Sequence, residues 1–277
     1  MSKRKQMVWA LFCLVCCVAF GVFPARAATG VKELCRNVSK KVTVSADVTG
    51  NGKKDKIRLE FTEQPYNGWI GETRVYINGK KALSIKDSSY YYKVSLRHIR
   101  MSKSKVFLQI MSYSDNSYHT FNRIYQYDKK KKKLVTALDL KKSQLDSAED
   151  VVKATSKNIQ VRHSLQPAET GRIHWDFTYT YKNGKFKLKS STASAKSSLG
   201  KLMPGYEDGY GKYFKKSQYV AAKELVFFTS TNLAKEAFRV KRNDKVTLKK
   251  IKVSGKTVYL QFQKGKKTGW QMVQRSN

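Results

Sequence analysis

The stretch TYTYKNGKFKL, Thr178–Leu188, sets the fold class. Its first half alternates Thr with Tyr, and its second half alternates Lys with Phe and Leu. That two-residue period is the mark of half-buried β-strands. Between the halves lies Asn183-Gly184, a pair that accepts positive φ at both positions, as a type I′ turn requires. The segment therefore reads as a β-hairpin. VYINGKKAL, Val75–Leu83, repeats the pattern around Asn78-Gly79, and IYQYDKKKKKLVTAL, Ile124–Leu138, turns through Asp128 and five lysines. The lysine run reads as a solvated turn, with an anion site as the alternative. The three turns fall near positions 79, 130 and 184, a spacing of about fifty residues, which is the size of a four-stranded blade. Three blades are too few to close a ring, because propellers use about four or more.

The rest of the chain reads the same way. KIRLEF, TRVYI, VFLQIMSY, NIQVRHSL and WDFTYTY all alternate, and Tyr, Phe, Val and Ile dominate them. The expected architecture is all-β: a blade-like antiparallel meander or sandwich over residues 28–189, a Ser/Gly/Lys-rich linker over 190–217, and a small β-barrel over 218–277. The best helix candidate is LKKSQLDSAEDVVKAT, Leu140–Thr155, where Leu145, Ala148, Val151 and Val152 share one helical face. In the linker, Tyr206, Tyr210 and Tyr213 suit either docking onto a neighbouring domain or stacking on sugar rings.

The beginning of the chain points to export. A basic start, MSKRKQ, precedes an uncharged apolar run from Met7 to Phe23 and then PARA, with small residues at Ala25 and Ala27. Residues 1–27 read as a secretory signal peptide cut before Ala28. The competing reading, an uncleaved anchor, is disfavoured by the shortness of the run and by Gly21 and Pro24. Cleavage leaves Cys35 as the single cysteine, so the mature chain forms no internal disulfide. It is expected to be extracellular, without a membrane span after cleavage.

Charge is the strongest compositional signal. The chain has 56 Lys and Arg against 20 Asp and Glu, a formal net charge of +36. The signal segment holds four of those basic residues and no acid, so the mature chain carries +32. Lysine outnumbers arginine 43 to 13. Lysine is a hydrated point charge, whereas arginine gives bidentate, shape-specific recognition. The bias favours diffuse attraction to a polyanion such as an anionic cell-wall polymer or an acidic glycan, and it gives no specific nucleic-acid reading. Solubility alone is the competing explanation.

Catalytic chemistry has little to stand on. None of His98, His119, His163 and His174 lies in a metal-binding pair motif, and neither G-x-S-x-G nor C-x-x-C is present once the signal is removed. Asp115, Asp128, Asp139 and Asp176 have no sequence relation that pairs them for glycoside cleavage. The chain reads as a non-catalytic binding protein. Two alternatives are an exported hydrolase of wall polymer with an unrecognised site, and a scavenger or adhesin for acidic glycans or extracellular nucleic acid.

Two local motifs carry more specific expectations. In SADVTGNGKKDKIRLEF, Ser45–Phe61, Asp47, Thr49, Asn51, Lys53 (through its carbonyl) and Asp55 occupy alternate positions as in an oxygen-ligand calcium loop, with Gly52 at the sharp turn. Only Asp47 and Asp55 are carboxylates, position twelve is Arg58, and Lys53, Lys54 and Lys56 repel a cation. The other reading is an Asx-type turn in which Asp47 and Asn51 serve the backbone. The stretch resembles the calcium loops of FG-GAP and VCBS-type repeats, with Thr49 and Asn51 in place of two acids; the resemblance implies calcium at the edge of a β blade.

In the last sixty residues the expected strands are Leu225–Thr229, Ala237–Val240, Val246–Val253, Thr257–Gln263 and Trp270–Val273. The order F-x-V-K-x-x-D-K-V-T, a hairpin, V-Y-L-Q-F and then G-K-K-T-G-W resembles a bacterial SH3-like domain. Asn243-Asp244 stands where that family usually has Gly-Asp, and Asn tolerates the left-handed conformation. The resemblance implies a small barrel of the kind found in exported, often wall-associated proteins. From Lys212 onward 17 basic residues face three acids. Lys249, Lys250, Lys264, Lys266, Lys267 and Trp270 are therefore the candidates for a surface that binds anions.

Overall fold

The computed structural model describes residues 29–64, 68–114, 119–142, 147–167, 170, 172–198 and 218–273. The signal segment, most of the linker with its three tyrosines, and Asp115 lie outside the described residues. Among those described there is no helix, and so none long and apolar enough to cross a membrane. The described residues are all-β, and every strand pairing among them is antiparallel.

Strands β2 (Val42–Ala46), β3 (Asp55–Glu63), β4 (Ile70–Ile77) and β5 (Lys80–Tyr91) form a four-stranded meander. Strands β6 (Lys93–Arg100), β7 (Val106–Tyr113), β8 (Asn122–Asp128) and β9 (Lys133–Asp139) form a second, and β1 (Gly30–Val38) joins its edge by pairing with β6. Strands β10 (Ala148–Ala154), β11 (Asn158–Leu165), β12 (Ile173–Lys182) and β13 (Lys185–Leu188) form a third. Each of the three hairpins recognised by its turn joins the third and fourth strand of its meander. Both Asn-Gly turns have positive φ at both residues: 49° and 81° at Asn78-Gly79, 51° and 78° at Asn183-Gly184.

The meanders stack face to face, and the middle one is buried on both sides. Seven of the eight residues of β7 are buried. Leu108 and Ile110 belong to the core shared with the first sheet, and Phe107 to the core shared with the third. Alternate side chains of one strand thus feed two cores, which explains why VFLQIM is apolar at every position but Gln109. Polar ties cross the layers. Gln109 Nε2 donates to Asn122 Oδ1 and to the Glu149 carbonyl, both at 2.9 Å, while Gln109 Oε1 accepts from Val151 N at 2.9 Å. Asn122 Nδ2 donates to the carbonyls of Ala148 and Glu149. Two buried amides of the second sheet therefore grip the backbone of β10.

Residues Ala148–Ala154 are a strand, not the expected helix. Bulges between Ala148 and Val151 and between Val151 and Lys153 reset the alternation of β10. Ala148, Val151 and Ala154 all turn inward, so burial recurs every third residue and imitates a helical period. The start of the expected linker is also ordered. Thr192–Ser198 forms β14, which pairs with β12 on one side and β18 on the other, with Ala193 and Ala195 against the core.

Through β14 the third sheet runs on into the C-terminal strands β15 (Gln218–Val220), β16 (Leu225–Phe228), β17 (Glu236–Val240), β18 (Lys245–Ser254), β19 (Thr257–Lys264) and β20 (Lys267–Val273). The five strands expected here are present, but among the described residues the sheet does not close into a barrel: β17 ends the order and pairs there with β16 alone. Asn243 takes the left-handed conformation, φ 73°. At Gly269 a Cβ would lie 2.6 Å from Phe227 Cβ and 3.1 Å from the Phe238 ring, so only glycine lets β20 approach β16 and β17 this closely.

Candidate functional site

Loop 47–54 connects β2 to β3. Asp47 Oδ1 accepts from Gly50 N at 2.8 Å and Asn51 N at 3.2 Å, and its Oδ2 accepts from Gly52 N at 3.0 Å. Asp55 Oδ2 accepts from Val48 N at 2.8 Å and Thr49 N at 2.9 Å, and its Oδ1 from the Asn78 side-chain amide at 2.8 Å. Asn51 Oδ1 accepts from Lys53 N. Both carboxylates and the Asn51 side chain thus close the turn through the backbone, which is the Asx-type geometry.

The loop also meets a cation of its own protein. Arg100 Nη2 on β6 donates to Asp47 Oδ2 at 2.9 Å, and His98 Nε2 on the same strand lies 2.8 Å from the Asp47 carbonyl oxygen. Asp47 is 4% exposed. A guanidinium sits where a calcium loop would direct its first carboxylate. Gly50, at φ 66°, brings the loop against the next turn, with a notional Cβ 3.3 Å from Ser104 Cα. Among the described residues no three His, Cys, Asp or Glu side chains are grouped so as to hold a metal. The geometry makes this loop a clasp between the first and second sheets.

The acids singled out in the sequence sit apart. Asp128 Oδ1 accepts from Lys130 N at 2.9 Å and Lys131 N at 3.0 Å, capping the lysine turn. Asp139 pairs with Arg123 at 3.0 Å and Asp176 with Arg162 at 2.6 Å. His163 stands opposite Trp175 and His174 opposite Ser164, so the two histidines point to opposite faces of the third sheet. Burial pushes the His163 pKa down to about 3, with Asp176 opposing. Burial pushes the Cys35 thiol up to about 11 against a lowering contribution from the Leu96 backbone, so it stays a protonated, poor nucleophile at neutral pH.

The C-terminal candidates fall in several places. A cleft of about 780 Å³ opens between β14, β15, β18 and β19, and Lys245, Lys249 and Lys264 line it. A bulge between Leu248 and Lys250 turns both Lys249 and Lys250 to solvent. Lys264 Nζ is engaged with Asp244 Oδ2 at 2.5 Å. Lys266 and Lys267 are exposed in and beside the β19–β20 turn, outside the cleft lining. Trp270 is half-buried and faces Gln261 and Phe228 in the sheet register. Lys245 was missed; its place at the start of β18, four residues before Lys249, was the available signal. Compared with family models, curated proteins and solved structures, the chain matches none.

Proposed function

We propose that this chain is a secreted, non-catalytic, strongly basic protein that holds to an anionic cell-wall polymer or a comparable anionic surface. The observation that carries the reading is a net charge of +36, of which +32 stays with residues 28–277, borne mainly by lysine. Charge of that size is excess to solubility and raises the local concentration of polyanions. The lysine-lined cleft of the C-terminal unit, with its SH3-like resemblance, supplies one docking face for anions. The separate placement of Asp128, Asp139 and Asp176, each engaged by a basic side chain or by its own turn, supports binding over hydrolysis.

The test is cosedimentation of residues 28–277 with purified wall, with and without its teichoic acid, followed by assay of the supernatant for wall fragments. Pelleting without fragment release is the expected outcome. Time-dependent release of fragments would make the protein a hydrolase instead.

A further inference from the structure

Pairing register brings six turns to one end of the stacked sheets. In the first sheet, loop 47–54 and the Asn78-Gly79 turn share an end, because Ile57 pairs with Ile77 and Asn78 bonds Asp55. In the second sheet, turn 101–105 and turn 129–132 share an end, since β6–β7 pairing starts at Arg100 with Val106 and β8 runs back beside them to Asp128. Gly50 packs on Ser104, which joins the first pair to the second. In the third sheet, turns 155–157 and 183–184 share an end, because Asn158 pairs with Thr180. Phe107, beside turn 101–105, meets Tyr181 and Phe186, which flank the Asn183-Gly184 turn. Tyr181 also bonds Gln126, and Lys185 Nζ donates to the Thr136 carbonyl at 2.6 Å.

These six turns and the residues within two positions of them hold sixteen lysines, among them the exposed Lys54, Lys81, Lys103, Lys131, Lys157 and Lys182. The acids at this end are committed inward. Asp47 meets Arg100, Asp55 takes backbone N–H groups, and Asp128 caps its own turn. Glu63, Glu72, Asp139 and Glu149 lie toward the other end of their sheets. The stack is therefore polarised along its strands. Face-packed sheets lie about 10 Å apart, close to the Debye length of about 8 Å at physiological salt. Neighbouring tips therefore act on one polymer as a nearly continuous positive edge.

We propose that this lysine-tipped end of the three-sheet stack is the principal polyanion-binding surface, and that its partner is a flexible phosphodiester chain without bases, such as a polyol-phosphate polymer. The six turns contain no aromatic residue, and the rings two residues away are engaged within the protein, Phe107, Tyr181 and Phe186 with one another, Tyr127 on the core and Tyr76 beneath Arg58, so bases find no free stacking platform. They contain no arginine, and Arg100, directly beside turn 101–105, is held by Asp47, so planar carboxylates meet no free bidentate fork. Lysines binding as point charges suit phosphate oxygens. Small turns between rigid strands leave the ammonium groups free to follow a mobile chain. The proposal rests on the reading of the protein as an electrostatic binder.

The test uses the mature chain, residues 28–277, and two variants of equal charge change. One carries Lys54→Glu, Lys81→Glu, Lys131→Glu and Lys182→Glu at the tips. The other carries Lys249→Glu, Lys250→Glu, Lys266→Glu and Lys267→Glu in the C-terminal unit. Affinity is measured for purified polyol-phosphate polymer, for a polyuronate and for duplex DNA, with melting curves as the check on folding. The expected result is a loss of about tenfold or more in the tip variant, with a shallower salt dependence, against a loss of about threefold or less in the C-terminal variant. Wild-type protein should prefer the polyol-phosphate. Loss confined to the C-terminal variant would overturn the tip surface while leaving the electrostatic reading intact. Equal or tighter binding of polyuronate or DNA would overturn the partner. Failure of wild-type protein to bind any of the three would overturn both.

Discussion

Arg100 Nη2 donates to Asp47 Oδ2 at 2.9 Å, joining the second sheet to the loop that opens the first. The contact spans 53 residues of sequence and lies where Asp47 is 4% exposed. It makes an internal cation the partner of a calcium-like loop. Arg100→Leu removes that partner and leaves a buried carboxylate held by backbone N–H groups alone. The expected cost is about 2–4 kcal/mol of stability, measured by denaturant unfolding. A cost below about 0.5 kcal/mol would show that Arg100 is no clasp.

Calcium follows from the same geometry. Mature protein is expected to melt at the same temperature in millimolar calcium and in chelator, because the loop's carboxylates are occupied by N–H donors and Arg100. A rise of several degrees with calcium, saturating at a defined concentration, would overturn this and restore Asp47, Thr49, Asn51, Lys53 and Asp55 as ligands.

Acid should weaken the fold through His163. Burial beside Trp175 and Tyr179 lowers its pKa from the ordinary value of 6.5 to about 3. A lowered pKa means that the unfolded chain takes up a proton that the folded chain refuses, so stability falls as pH drops below about 6.5. The slope from this one group is at most about 1.4 kcal/mol per pH unit. Asp55 adds to the loss at lower pH: burial raises its pKa, but the Thr49 N–H, the Asn78 amide and the Val48 N–H together leave it below the usual carboxylate value. Stability from Asp55 is present above the unfolded pKa and is lost as pH falls through the folded one. His163→Phe should flatten the dependence between about pH 6.5 and pH 4. An unchanged slope would place the effect elsewhere.

Gly269→Ala tests the packing of the C-terminal unit. The added methyl would meet Phe227 Cβ, Phe238 and Ala237. Overpacking of this kind costs about 1–3 kcal/mol, seen as a lower melting temperature. A neutral result would mean that β20 can move away from β16 without loss.

The hairpins were legible because their signals are local. Asn-Gly needs only two residues to declare a turn, and VFLQIMSY and NIQVRHSL coincide with β7 and β11. The fifty-residue spacing likewise marked three equivalent meanders. Strand β10 was misread because bulges gave Ala148, Val151 and Ala154 a three-residue spacing. Strand β14 was hidden because its small residues share the composition of a linker. The ligand spacing of loop 47–55 was visible, but Arg100 was not, since the partner lies on another sheet. The run LRHIR held a clue: His98 and Arg100 share one face of β6, and both reach Asp47. The gathering of lysine turns at one end depends on strand register, which no stretch of sequence states by itself.

The most direct measurement of the central claim is a salt series of the mature chain on purified wall, with and without teichoic acid. The expected result is tight binding at low ionic strength, a steep and log-linear fall as salt rises, and near-complete loss when the teichoic acid is stripped. Protein that stays in solution at physiological salt, or binds stripped and intact wall alike without regard to salt, would contradict an electrostatic hold on an anionic polymer.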